Sequence, residues 1–399
     1  MQLALSRPAE ALETLERAAE LEPGSANIWW NLLRAAYGVR RYEQVLECCE
    51  KIERMNEDFS DLWVYKGLAI GQLRGHGDEE LACQERAVEL DPESALAWLN
   101  KAEVLDNLGR SEEALPSYDR AAELDPGYST AWNNKCVVLR KLRRYDEALR
   151  WNERALEALP EVANLWGHKG KTLVELGRMA DALPCYERWR ELDPSAVNAW
   201  VDVSYVLGEL GCFEQQLNCC VEALLTWPDQ ATLWNNKAYA LRETGRFDES
   251  EEAYARALEL DPSDANTVLG RAMLRRRSGR PHDALADLDH ALEMSPRYAW
   301  ALLEKARVLR ALGHLEDALL ALDKAIEIRP GFTARLLTRK TLSWPSWAAR
   351  YSRPSEGGAE CPQWPVDRRV ESALPGKEIT GPPGPAAACF PVSGPLATS

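Results

Sequence analysis

Amides and basic side chains, rather than nucleophiles, are the chemically active groups that recur at fixed spacing in this sequence. Asn31, Asn100, Asn134 and Asn236 each stand two residues after a tryptophan, and an amide can donate and accept hydrogen bonds at once. One residue further on come Lys101, Lys135, Lys169 and Lys237, with Lys66 and Lys305 at the equivalent place. Lys171, Arg242, Arg276, Arg277, Arg307 and Arg310 add cations of the kind that pair with carboxylates. Catalysis asks for a nucleophile, a base and an orienting group brought together, or for paired carboxylates in a closed cleft. His76, His168, His282, His290 and His314 are instead scattered over different segments, with no HExxH, no Gly-rich phosphate loop and no GxSxG. The pattern predicts binding rather than enzymatic activity, and no cofactor or metal.

The elements that must position these groups follow from a strict period. A proline returns every 34 residues, at Pro92, Pro126, Pro160, Pro194, Pro228, Pro262, Pro296 and Pro330. The same phase places Trp98, Trp132, Trp166, Trp200 and Trp234, then Val268 and Leu302, at one fixed position of each unit. Trp63 and Trp29 join the series if one extra residue is accommodated between Leu73 and Gly77. A repeat of this length is one supersecondary unit stacked on its neighbours, which lets the core lengthen with the chain.

Within the unit from Ser129 to Val162, Trp132, Cys136 and Leu139 share one face of an amphipathic helix. Most units follow that helix with Gly-Arg, as at Gly109-Arg110 and Gly245-Arg246; glycine suits a helix C-terminal turn with positive φ. A second helix starts at Tyr145 with acids in its first turn and small Ala148 and Ala155 seven residues apart, allowing close helix approach. The proline then ends it, because the residue before proline is pushed out of the α region.

The spacing of tryptophan, small residue, apolar residue, glycine, aromatic, alanine and proline resembles the tetratricopeptide repeat over residues 1–332. Residues 231–264 carry it nearly throughout, with Trp234, Ala238, Leu241, Gly245, Phe247, Tyr254, Ala257 and Pro262. The WNNK segments at Trp132 and Trp234 are similar to prokaryotic, notably archaeal, members. Trp189 and Ser250 stand where the family has small alanines. The resemblance implies an all-α, right-handed α-solenoid of tandem helix–turn–helix units. A partial unit would occupy 1–25, nine units 26–332, a capping helix 333–344, and a disordered tail 345–399, which holds ten of the 23 prolines.

By that resemblance the residues two after each tryptophan point into a concave groove, and in peptide-holding members an asparagine ladder there bonds the ligand backbone. The lysines one residue later can lay their stems on a neighbouring helix and carry their charge outward. The net charge of −15 divides into +3 on residues 333–399 and −18 on the remainder. The first fourteen residues of the nine units nevertheless hold seventeen bases against eight acids. A groove biased toward positive charge would accept an acidic or carboxylate-terminated peptide, most strongly along Arg242, Arg276, Arg277, Arg307 and Arg310. The acidic repeat region disfavours nucleic acid.

No leader pattern and no membrane-length apolar run is present, and cysteines at repeat positions such as Cys48, Cys83, Cys185 and Cys219 read as buried small residues in a reducing, cytoplasmic setting. The expected function is a non-catalytic protein-interaction scaffold. A second reading is the regulatory or targeting arm of a larger enzyme, of glycosyltransferase type, and the incomplete opening unit offers an edge through which copies of the chain could associate.

Overall fold

A computed structural model describes residues 8–329; the expected capping helix at 333–344 and the tail at 345–399 lie outside the described residues. Two compact units divide between Ala199 and Trp200. The first holds α1 (Pro8–Leu21), α2 (Ala26–Gly38), α3 (Tyr42–Arg54), α4 (Ser60–Arg74), α5 (Asp78–Leu90), α6 (Ala95–Asn107), α7 (Ser111–Leu124), α8 (Ser129–Lys141), α9 (Tyr145–Ala158), α10 (Ala163–Glu175) and α11 (Met179–Leu192). The division falls within α12 (Val197–Glu209). The second unit continues with α13 (Phe213–Thr226), α14 (Ala231–Glu243), α15 (Phe247–Leu260), α16 (Ala265–Arg277), α17 (Pro281–Met294), α18 (Ala299–Ala311) and α19 (Leu315–Ile328). Among the described residues all regular structure is helical, and the expected all-α solenoid of helical repeats is what the chain forms.

Even-numbered helices are the first members of each repeat and odd-numbered helices the second. From α6 onward the first helices begin every 34 residues, at Ala95, Ser129, Ala163, Val197, Ala231, Ala265 and Ala299. The one extra residue near Leu73 is absorbed by α4, which runs for 15 residues and is closed by Gly75 at φ 82°. The other first helices end in a common turn, as where Arg110 N–H bonds Leu105 O at 2.8 Å, Arg178 N–H bonds Leu173 O at 2.8 Å, and Arg246 N–H bonds Leu241 O at 2.9 Å. The turn needs a left-handed residue, supplied by Gly109, Gly177 and Gly245 but by Arg143, at φ 59°, in the fourth. The arginine after the turn reaches forward to the second helix, as Arg110 does to Glu113 and Arg246 to Glu249.

Repeats are joined by one bond used over and over. The indole N–H of Trp29, Trp98, Trp132, Trp166 and Trp234 donates to the carbonyl of the proline six residues earlier, at 2.7 to 3.1 Å. Most of these indoles are half-buried at the seam; Trp132 is 5% exposed because Trp151 packs on it with ring centroids 4.3 Å apart. Alanines at the closest helix approaches, Ala114, Ala121, Ala148 and Ala155, are fully buried. Where Trp189 replaces one of them, its ring lies over Gly167. Pro116 and Pro184 sit at the sixth residue of α7 and α11, past the first turn, and both helices continue beyond them.

In each unit the first helices also touch one another across repeats: α4 with α6, α6 with α8 and α8 with α10 in one, α14 with α16 and α16 with α18 in the other. Among the described residues no pair of second helices makes comparable contact. The first helices therefore form the inner row. Replacing Trp132 with Ala removes a large core side chain and its seam bond, and should cost about 3 to 5 kcal/mol; chemical denaturation followed by tryptophan fluorescence measures it, and a loss below about 1 kcal/mol would contradict this packing.

Candidate functional site

The inner row carries the residues singled out by type and spacing, and the structure separates them into groups with different fates. In the first unit, Asn31 Nδ2 donates to Asn27 O and Asn100 Nδ2 to Leu96 O, both at 2.8 Å along their own helices, while Asn134 Nδ2 reaches Glu103 Oε1 on α6 at 2.7 Å. In the second, Asn236 Nδ2 donates to Ser204 Oγ at 2.8 Å. The donating half of each amide is thus used within the chain, and the carbonyl oxygen is the half left for a ligand.

The lysine row does not line the inner face. One residue on is about 100° round a helix, and this turns the lysines into the seams. Lys66, Lys101, Lys135 and Lys169 pair with Glu53, Glu85, Asp119 and Glu153, each on the second helix of the preceding repeat. The ammonium groups of three of them lie over indoles, Lys66 at 4.5 Å from the Trp63 centroid, Lys101 at 5.8 Å from Trp98 and Lys135 at 4.2 Å from Trp151. Lys237 lies 4.6 Å over Trp234. Attractions of this kind, about 0.5 to 2 kcal/mol each, hold repeats together.

The C-terminal arginines are largely neutralised from within. Arg242 is 1% exposed; its guanidinium bonds Glu243 at 3.0 Å, Gly270 O at 3.2 Å and Tyr254 Oη at 3.4 Å. Arg276 and Arg307 share the buried carboxylate of Glu304 at 2.6 and 2.8 Å, and Arg277 pairs with Glu243 at 2.8 Å. Arg310 is likewise engaged. These residues are therefore structural ion pairs on the inner row, not the open basic track that their sequence density suggested.

Among the buried polar atoms left without a hydrogen-bond partner in the described residues, two groups lie on or beside the inner row close to residues singled out above. In the first unit Arg140 on α8 has no carboxylate within ion-pair distance, and its Nε is buried without an acceptor. His168 on α10 presents a buried Nδ1 with no partner, and burial, then the nearby Arg140 and Lys171, push its imidazole down to about 3, so it is neutral. Lys171 lies 5.4 Å from the Trp189 ring. Buried carboxylates nearby are answered locally: Glu103 by Asn134, and Glu80 by His76, whose Nδ1 is 2.9 Å away. In the second unit a small pocket is walled by Tyr205, Glu209, Gln216, Asn236, Tyr239 and Arg242, among others. Burial alone lifts the Glu209 carboxyl to about 7.

The thiols are a different matter. Cys48, Cys49, Cys83, Cys136, Cys185, Cys219 and Cys220 are free and buried, and burial pushes Cys48, Cys49 and Cys220 up to about 12. A thiol so held is protonated and packs as a small apolar group. No helix among the described residues is long and apolar enough to cross a membrane.

Stacked helix pairs with their functional groups on one row of first helices define a helical-repeat protein. Family models described as tetratricopeptide repeat match residues 2–44, 81–129, 105–163, 135–197, 231–264 and 275–338, and the chain belongs to that family. Its repeats mark it as a scaffold for protein–protein interaction. Solved structures resemble the chain in part. A chain of the APC/C hetero-tetramer Cut9–Hcn1 is 18% identical with TM-score 0.48, the match covering 77% of this chain and 60% of that one, so this chain spans about 60% of its length. YrrB, a TPR protein with an unusual peptide-binding site, is 26% identical with TM-score 0.35 over 55% of this chain and 95% of its own. Yeast Tom70 is 15% identical with TM-score 0.46 over 84% of each. No curated protein matches the chain.

A carboxyl raised in the folded state stabilises the fold in its protonated form, so stability is present at low pH and is lost as pH rises toward and through about 7. Glu209→Gln mimics the protonated form. It should raise the melting temperature at pH 8 and leave it nearly unchanged at pH 5; an equal effect at both would show that Glu209 does not titrate in this range.

Proposed function

We propose that the chain holds an extended acidic peptide against the inner row of first helices in its first unit, with Arg140, His168 and Lys171 as the point where a carboxylate docks. The observation that carries this reading is the pair of buried nitrogens without partners, Arg140 Nε and His168 Nδ1, on adjacent first helices. A buried donor left unmade costs about 1 to 3 kcal/mol, and a carboxylate offers an acceptor to Arg140 Nε–H and, in the tautomer that carries its proton on Nδ1, to His168 as well. The carbonyl oxygen of Asn133, also buried and unpartnered, supplies the complementary acceptor for a peptide N–H. The unused carbonyls of Asn31, Asn100 and Asn134 extend that acceptor set along the same row. On this reading the chain assembles partners without transforming them, and its buried free thiols suit a reducing compartment such as the cytoplasm.

The reading is tested by fluorescence anisotropy with a labelled Asp/Glu-rich dodecapeptide and its charge-reversed Lys/Arg counterpart. The acidic peptide should bind more tightly, lose affinity as salt rises, and lose about tenfold on Arg140→Gln, the share of one charge-assisted hydrogen bond. Equal affinity for both peptides, or an Arg140→Gln variant that binds as the parent does, would overturn it.

A further inference from the structure

We infer that the pocket between α12, α13 and α14 in the second unit receives a protonated primary amine, the group a lysine side chain carries. Glu209 supplies the charge. It stands at the end of α12 and, among the described residues, makes no hydrogen bond and no ion pair, although Arg242 shares the pocket wall. That guanidinium is spent on Glu243, Tyr254 and Gly270. Gln216 supplies the second acceptor: it is 1% exposed, its Oε1 is buried with no partner, and its amide is packed on Gly208, where a Cβ would lie 2.7 Å from Nε2.

The chemistry selects the ligand. An ammonium offers three donors and no acceptor, which suits a carboxylate and an amide oxygen that both lack donors. Tyr205 adds an aromatic ring of the kind that attracts cations, while the Tyr239 ring already carries the Arg242 guanidinium at 4.9 Å. The pocket is small, about 30 Å³, which fits a compact head group. An incoming carboxylate would instead meet Glu209, and a neutral chain end would leave both acceptors unmade.

Other titratable and charged groups share the pocket wall with Glu209. Tyr205 shares its helix, Tyr239 and Arg242 come from α14 and Tyr254 from α15; burial raises the Tyr239 phenol, and Arg242 stays charged. Asn235, Asn236, Asn266 and Gln216 are neutral amides. The pH response of amine binding therefore belongs to Glu209, whose ionised fraction rises from about one tenth to about nine tenths between pH 6 and pH 8 when its midpoint is about 7.

This inference rests on the peptide-binding reading only in taking the amine to belong to a peptide, and its test stands apart from the acidic-peptide experiment. The full chain, labelled with ¹³C at glutamate carboxyls, is titrated with acetyl-Gly-Lys-Gly-amide and with the norleucine analogue, the Glu209 signal being assigned by its loss in Glu209→Gln. The lysine peptide should pull the Glu209 midpoint down and bind about tenfold more tightly at pH 8 than at pH 6. Glu209→Gln should lose at least about tenfold and Gln216→Met a smaller factor. Equal binding of the norleucine peptide, an unmoved Glu209 midpoint, or undiminished binding by a folded Glu209→Gln would overturn the assignment. The midpoint shift is read on the parent chain, so it decides the matter even if a variant misfolds. If the lysine peptide binds while the acidic dodecapeptide does not, only the reading of the first unit falls.

Discussion

Five of the repeat seams are set by one hydrogen bond, from an indole N–H at the start of a first helix to the carbonyl of the proline that closes the preceding repeat. It does two things together. The proline stops the second helix, and the indole fixes where the next first helix begins, so the break and the restart are held in one geometry. At Trp98, with Lys101 over the ring and paired to Glu85 of the second helix behind it, the seam is tied by a hydrogen bond, a cation over a ring and an ion pair. The first helices are thereby left facing one another, and whatever faces outward from that row is what the protein can offer a partner.

Much of this could be read from the residues. The proline period set the helix starts to the residue, the Gly-Arg dipeptides located turns with positive φ, and the cysteines at repeat positions proved to be buried free thiols. These features are local or strictly periodic, so neighbouring positions in the chain carry the information. Charge was harder. A count of bases in first helices cannot see that Arg276 and Arg307 share Glu304, or that Arg277 meets Glu243 34 residues away. The Arg276–Glu304 and Arg277–Glu243 pairs bridge neighbouring repeats, and the register that joins them depends on how neighbouring helices are rotated.

The two unsatisfied places carried a signal of another kind. Ala114, Ala148, Ala182, Ala284 and Ala318 occupy one repeat position, which Gln216 takes in its own repeat. A polar residue at a place built for a methyl group must find partners or leave atoms unmet, and Gln216 leaves its Oε1 unmet beside an equally unpaired Glu209. Arg140 was one base among seventeen until its lack of a carboxylate partner set it apart. Departure from the periodic pattern, more than conformity to it, pointed to the places where a ligand has something to do.

The central claim is that the row of first helices is the face that meets a partner. It is tested most directly by photo-crosslinking a benzophenone-bearing acidic peptide to the full chain and mapping the adducts by mass spectrometry. The account predicts adducts on α6, α8 and α10, concentrated around Arg140 and His168. Adducts confined to the second helices α7, α9 and α11 would contradict it.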